Sequence, residues 1–247
     1  MGLFSRLFSS DEAEPSEGQI RRAIKQVTQT HGEAANRIGA MHRLAEWRTP
    51  ESAAALLRRF TVQTPQASMD LEEKQYAVKL LTEMGEIAVD PIITWLKTAP
   101  DVAFPVQALK NICSPEKYHA LLVEVLDALS SGYVRWPEAA VVLIAGLDDE
   151  AFPRAGETVF RFLDDDNDDV CIAAADYLAH NGGEAAREKL IQVFLAVDGR
   201  PRVRGRILDH FHERGWGVGK CKKEVEAVIF TPFYLTSKGI VKRLGQT

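Results

Sequence analysis

No apolar run in this sequence approaches the ~20 residues needed to span a bilayer, and Met1–Ser10 is too short for a secretory leader and carries no small-residue cleavage site. Cysteine is scarce. Cys113, Cys171 and Cys221 stand 58 and 50 residues apart, a spacing that builds neither a disulfide framework nor a zinc site. They read as small buried thiols, and the expected compartment is the reducing cytoplasm. Signatures of chemistry are missing too. The acidic run Asp164–Asp169 would need glycine at the sixth place and glutamate at the twelfth of a calcium loop, where Asp169 and Ala175 stand. It reads instead as a helix-opening turn whose carboxylates accept free amide hydrogens. Gly215-Trp216-Gly217-Val218-Gly219-Lys220 lacks the spacing and the Ser or Thr of a phosphate loop, and reads as an inter-helix turn. His210 and His212 diverge by about 200° on a helix and so do not share a metal. Arg6, where Ser or Thr is required, rules out myristoylation. No catalytic residue, metal ligand or cofactor is expected.

What the sequence does contain is a period. Six times a small or aliphatic residue sits four positions before a large apolar one: Ala40/Leu44, Ala77/Leu81, Ala108/Ile112, Ala139/Leu143, Ala174/Leu178 and Ile207/Phe211. The second members lie 37, 31, 31, 35 and 33 residues apart. Residues four apart share a helix face, so each pair marks a buried stripe, with an alanine where a neighbouring helix comes close. Helix breakers follow on schedule: Gly85, Gly146, Gly182 and Gly215, or Pro50 and Pro115. A second apolar helix follows each break, roughly Pro50–Phe60, Ile87–Leu96, Pro115–Leu129, Glu150–Phe162, Glu184–Phe194 and Cys221–Ile229. Units of this length cannot bury their faces alone, and stacking them into an α-solenoid can.

Three stretches carry a family resemblance. They are Asp166-Asn167-Asp168-Asp169-Val170 running on to Ala174, Leu178 and Gly182; Val203-Arg204 running on to Leu208, Phe211 and Gly215; and Ala77-Val78-Lys79-Leu80-Leu81 running on to Gly85. Over about residues 33–230 the chain resembles HEAT-repeat proteins with the short repeats of the phycobilisome-lyase type. The resemblance implies an all-α fold, an α-α superhelix of about six helical hairpins, and a basic residue that bridges to the next repeat. That basic position is kept as Arg37, Lys74 and Arg204, and is replaced by Pro105, Trp136 and Cys171. Fold does not imply activity.

The ends differ. Leu3, Phe4, Leu7 and Phe8 form an amphipathic tip, similar to N-terminal tips of several bacterial peripheral proteins. It precedes a polar linker and could dock on a partner groove or a membrane surface. Residues 18–31 read as a capping helix with Ile20, Ala23 and Val27 on one face. Phe233–Thr236 and Ile240–Leu244 flank Ser237-Lys238-Gly239, the pattern of a small β-hairpin that caps the last repeat. The expected organisation is 1–18 tip and linker, 19–230 solenoid, and 231–247 hairpin and tail.

Charge is the strongest functional clue. The net charge is −5, yet residues 199–247 hold 11 Lys/Arg against 4 Asp/Glu, while residues 1–198 hold 19 against 31. Arg200, Arg202, Arg206, Lys220, Lys222 and Lys223 are therefore candidates for binding an acidic protein segment. Arg202 and Arg206 share a helix face and can also pair with Asp164–Asp169 of the preceding repeat. The acidic remainder argues against nucleic acid. The expected function is a non-catalytic protein-interaction scaffold, cytoplasmic, with membrane recruitment through the tip as one alternative. The other is an enzyme on this architecture: a HEAT-like DNA glycosylase, for which Trp95, Trp136 and Trp216 would have to supply stacking platforms, or a bilin-lyase-type protein.

Overall fold

The computed structural model describes residues 14–131 and 135–245. The tip residues Leu3, Phe4, Leu7 and Phe8 lie outside the described residues. The chain divides into two compact units, residues 1–115 and 116–247. The structure is all-α with one small antiparallel sheet at its C-terminal end, as the sequence predicts. Among the described residues no helix is long and apolar enough to cross a membrane.

In the first unit the helices are α1 (Glu17–Val27), α2 (Ala34–Trp47), α3 (Pro50–Leu57), α4 (Ala67–Met84), α5 (Val89–Thr98) and α6 (Ala103–Ile112). Helices α2, α4 and α6 pack side by side in one layer, and α1, α3 and α5 in the other. Local chemistry sets the starts. The Ser16 hydroxyl accepts from the Gln19 N–H while the Gln19 side chain accepts from the Ser16 N–H, a reciprocal capping box. Thr49 and Ser52 repeat the device before α3, with Pro50 at the first helical position. Gly85 ends α4 at φ 64° and ψ −135°, a positive φ that suits glycine but not the left-handed helical cap expected of it. Arg48 ends α2 in the left-handed helical region, at φ 48° and ψ 45°, without being glycine.

The alanine stripes are buried as predicted: Ala40, Leu44, Ala77, Leu81 and Ala108 in this unit are fully inside. Ile112 is the exception. It is the last residue of α6 and half-exposed, and Leu109 takes the interior place. Arginine is inside as well. Arg59, 0% exposed, donates Nη2 to Asp70 Oδ1 at 2.7 Å and Nε to Glu73 Oε2 at 3.1 Å. Arg37 on α2 forms a two-pronged pair with Glu73 on α4, at 2.8 and 2.7 Å, and donates Nη1 to the carbonyls of Gln29 and Gly32. Lys74 Nζ reaches Asp70 Oδ2 at 3.0 Å and lies 5.9 Å from the centre of the Phe104 ring on α6. Arg37 and Lys74 thus each reach the next hairpin.

The second unit holds α7 (Pro115–Ser130), α8 (Pro137–Ala145), α9 (Phe152–Arg161), α10 (Asp168–Asn181), α11 (Gly183–Ala196), α12 (Pro201–Glu213) and α13 (Lys222–Val228). Helices α8, α10 and α12 lie side by side, and α9 and α11 pack against α10. Ala139, Leu143, Ala174, Leu178, Ile207 and Phe211 are all buried. Two glycines depart from the expected left-handed caps. Gly146 has φ −76° and Gly182 φ −87°, and the left-handed residue is Gly183 at φ 54°. Gly146 serves close approach instead: a Cβ there would stand 2.9 Å from the Tyr118 Oη and 3.2 Å from Leu122 Cδ1.

The chain ends in β1 (Phe233–Leu235) and β2 (Val241–Arg243), antiparallel with Phe233 opposite Arg243. Gly239 turns the hairpin at φ 73°, a conformation costly for residues with a Cβ. Strand β2 packs on α12, Val241 is fully buried, and Arg243 Nη1 pairs with Asp209 Oδ1 at 3.1 Å. Gly215–Cys221 is the expected inter-helix turn, tied to the hairpin by the Val218 N–H on the Gly239 carbonyl at 2.9 Å.

A candidate docking groove between α8 and α10

The acidic run before α10 behaves as a helix start. The Asn167 side-chain carbonyl accepts from the N–H groups of Asp169 and Val170, and Asp165 Oδ1 accepts from the Asn167 N–H at 2.8 Å. This leaves the carboxylates of Asp168 and Asp169 free to face α12, and the basic residues of α12 meet them. Arg200 donates Nε to Asp168 Oδ1 at 2.7 Å and Nη1 to the Asp165 carbonyl at 2.9 Å. Arg202 reaches Asp169 at 2.5 Å and Arg206 reaches Asp176 at 2.6 Å. Arg202 and Arg206 do share a face, and that face is turned to α10. Arg204 points elsewhere, 4.7 Å from the centre of the Phe194 ring, with Nη2 on the Val228 carbonyl. Of the candidate lysines, Lys222 donates to the Ser237 carbonyl at 2.8 Å, while Lys220 and Lys223 are exposed. Three of the six candidates thus form an ion-pair seam with α10, and the three lysines lie outside it.

An open groove of this unit lies next to the seam. Glu138, Val141, Val142 and Ala145 on α8 each have another member of the set three or four residues away, as do Asp169, Ile172, Ala173, Asp176 and His180 on α10, so each set lies along one helix face. These two stripes line a groove of about 770 Å³. Val141, Val142, Ile172 and Ala173 are only half-buried, and Ala145 is exposed. The small side chains Ala145 and Ala173 leave the volume open. Asp149, just past α8, and Tyr177 close one end. Among the described residues lining the groove there is no lysine or arginine.

The polar groups at its edge are held in fixed states. Burial pushes the Asp176 carboxyl up, but hydrogen bonds from His210 and Arg206 outweigh it and hold the group below the usual carboxylate range. The Tyr177 hydroxyl is pushed up to about 12 by burial and by the carboxylates of Asp148 and Asp149, and it lies 3.1 Å from the Asp148 carbonyl as donor. His210 is 1% exposed, with Nε2 2.6 Å from Asp176 Oδ1. Its Nδ1 is buried without a hydrogen-bond partner, 3.9 Å from a Glu213 carboxylate oxygen. Neither nitrogen is presented to a groove ligand. His180 sits edge-on to His210, ring centres 6.1 Å apart, and its Nδ1 donates to the Asp176 carbonyl at 2.8 Å. This arrangement can seat an apolar face and pair with cations, and the described lining residues include no serine, threonine, cysteine or lysine.

Sequence reasoning did not single out Asp176, His180 or the outward stripes of α8 and α10. The stripes were visible as period, but α8 is apolar on nearly every face, so nothing in the sequence marked which face stays uncovered. The tryptophans stand apart: Trp95 lines a separate groove of the first unit with Ile24 and Ala54, Trp136 precedes α8, and Trp216 packs edge-on against Phe211 after α12. No family model matches the chain, and no curated protein or solved structure is significantly similar to it.

Proposed function

We propose that this chain is a non-catalytic protein-interaction scaffold built of HEAT-like hairpins, which seats a short partner segment in the groove between α8 and α10. The observation that carries this is the pair of half-exposed apolar stripes on adjacent helices, an unfilled surface of the size that an apolar helix face occupies. The HEAT-like reading is supported by Arg37, which bridges to Glu73 one hairpin on. The basic end contributes less than its charge suggests, because Arg200, Arg202 and Arg206 already have carboxylate partners. A cytoplasmic setting fits the three free cysteines.

Affinity capture with the full chain, compared with a Val142→Glu/Ile172→Glu variant, tests the reading. Partners held by the wild type should be lost from the variant while its thermal midpoint stays unchanged. An identical set of captured proteins would remove the groove from consideration.

A further inference from the structure

The groove has a sign as well as a shape. Asp169 and Asp176 are neutralised by Arg202 and Arg206. Glu138 and Asp149 have no such partner among the described residues, and both are exposed. Glu138 opens α8 and Asp149 stands just beyond its end. At 1.5 Å of rise per residue the helix carries the groove roughly 10 Å from Glu138 to Ala145, with Asp149 in the turn beyond. Between the two carboxylates lies an apolar floor of Val141, Val142, Ile172 and Ala173. Exposed Glu150 adds a further negative charge at the Asp149 end, and exposed Asp166 another in the turn that opens α10.

From this we infer that the partner is a basic amphipathic segment: a helix of about three turns, with apolar residues on one face and a lysine or arginine near each end. The inference rests on the docking reading and names its partner chemistry. An acidic segment would meet two unpaired carboxylates, while the nearby Arg202 and Arg206 already hold carboxylates of their own. A purely apolar one would leave those carboxylates crowded against a low-dielectric surface without partners. The cations set orientation and on-rate, because exposed pairs add little affinity. The apolar face supplies most of the binding.

The experiment uses a phage-displayed library of random 16-residue peptides, panned over the full chain, with enriched sequences measured by fluorescence polarisation. Enrichment of apolar peptides carrying Lys or Arg at both ends is expected. Their binding should fall about tenfold or more in Ile172→Glu and several-fold in each of Glu138→Lys and Asp149→Lys. The latter two lie at exposed positions, and each variant is checked by its thermal midpoint. Raised salt should weaken the basic peptides. If the enriched peptides lose binding in Ile172→Glu but are acidic or uncharged, or ignore both charge reversals, the basic partner is wrong and the groove stands. If nothing enriches, or binding ignores Ile172→Glu, the docking reading falls with it.

Discussion

Arg59 in the first unit and Arg206 in the second are both held by carboxylates, at 2.7 and 2.6 Å, yet they do different work. Arg59 is 0% exposed and its neighbours Asp70, Glu73, Arg37 and Lys74 are all buried with it. The Arg206 side chain is 36% exposed and Asp176 35%. Withdrawing ions from water costs several kcal/mol each unless every polar atom finds a partner. The first cluster meets that condition by sharing Glu73 between two arginines and Asp70 between Arg59, Lys74 and the Thr64 N–H. Removing one member of the buried set therefore strands the others, whereas removing one member of the seam lets water take its place. The same pair distance has opposite consequences according to depth.

The comparison is sharpened most by Glu73→Ala. It leaves Arg37 and Arg59 facing each other in the interior, and the expected loss is about 3–5 kcal/mol in urea unfolding monitored by circular dichroism. A loss under about 1 kcal/mol would show that depth does not separate the two sets.

Acid provides the second break. Burial pushes the Asp70 carboxyl up, but hydrogen bonds from Arg59, Lys74 and the Thr64 N–H outweigh it and leave the group at about 2. Glu73 is also lowered, by Arg37 and Arg59 against its own burial. Because these folded-state values lie below those of an unfolded chain, the stabilisation is complete only above about pH 5. It drains away as pH falls toward 2. Urea midpoints measured at pH 5, 4, 3 and 2.5 should fall steadily, and Asp70→Asn should flatten that slope while lowering the pH 5 value.

A smaller effect is expected for Arg206→Ala. Asp176 keeps His210 and gains water, so the cost is about 1 kcal/mol, read as a shift in the thermal midpoint of a few degrees. Smallest is Arg202→Ala, at a fully exposed pair: no resolvable change in midpoint at any salt concentration. A clear destabilisation there would mean that the seam behaves like the buried cluster.

The fold was legible where one stripe of each helix does the burying. Eleven of the twelve paired positions are interior, and Ile112 fails because α6 stops on it. Glycine was legible as punctuation but not always for the reason assumed, since Gly146 makes room for Tyr118 and keeps a right-handed φ. The candidate site was harder. For Arg202 and Arg206 the sequence left two readings open, a patch for an acidic segment and pairing with Asp164–Asp169, because a count of charges along a chain does not say which acids packing brings alongside. Arg202 meets Asp169, whereas Arg206 meets Asp176, outside that run. Arg59 gave no signal, sitting in a short 3₁₀ turn after α3 beside an identical neighbour, Arg58, that stays at the surface. Which of two adjacent arginines goes inside is decided by Asp70 and Glu73 eleven and fourteen residues on.

The C-terminal hairpin covers α12 with a strand where the rest of the unit covers helices with helices. Each hairpin of helices offers the next an apolar face, and nothing within a repeat says where to stop. Strand β2 lies against α12, with Val241 buried and Arg243 bound to Asp209. Its strand neighbours Lys242 and Arg243 bring charge where another copy would have to settle. A tail that is not a helix thereby occupies part of the surface of α12.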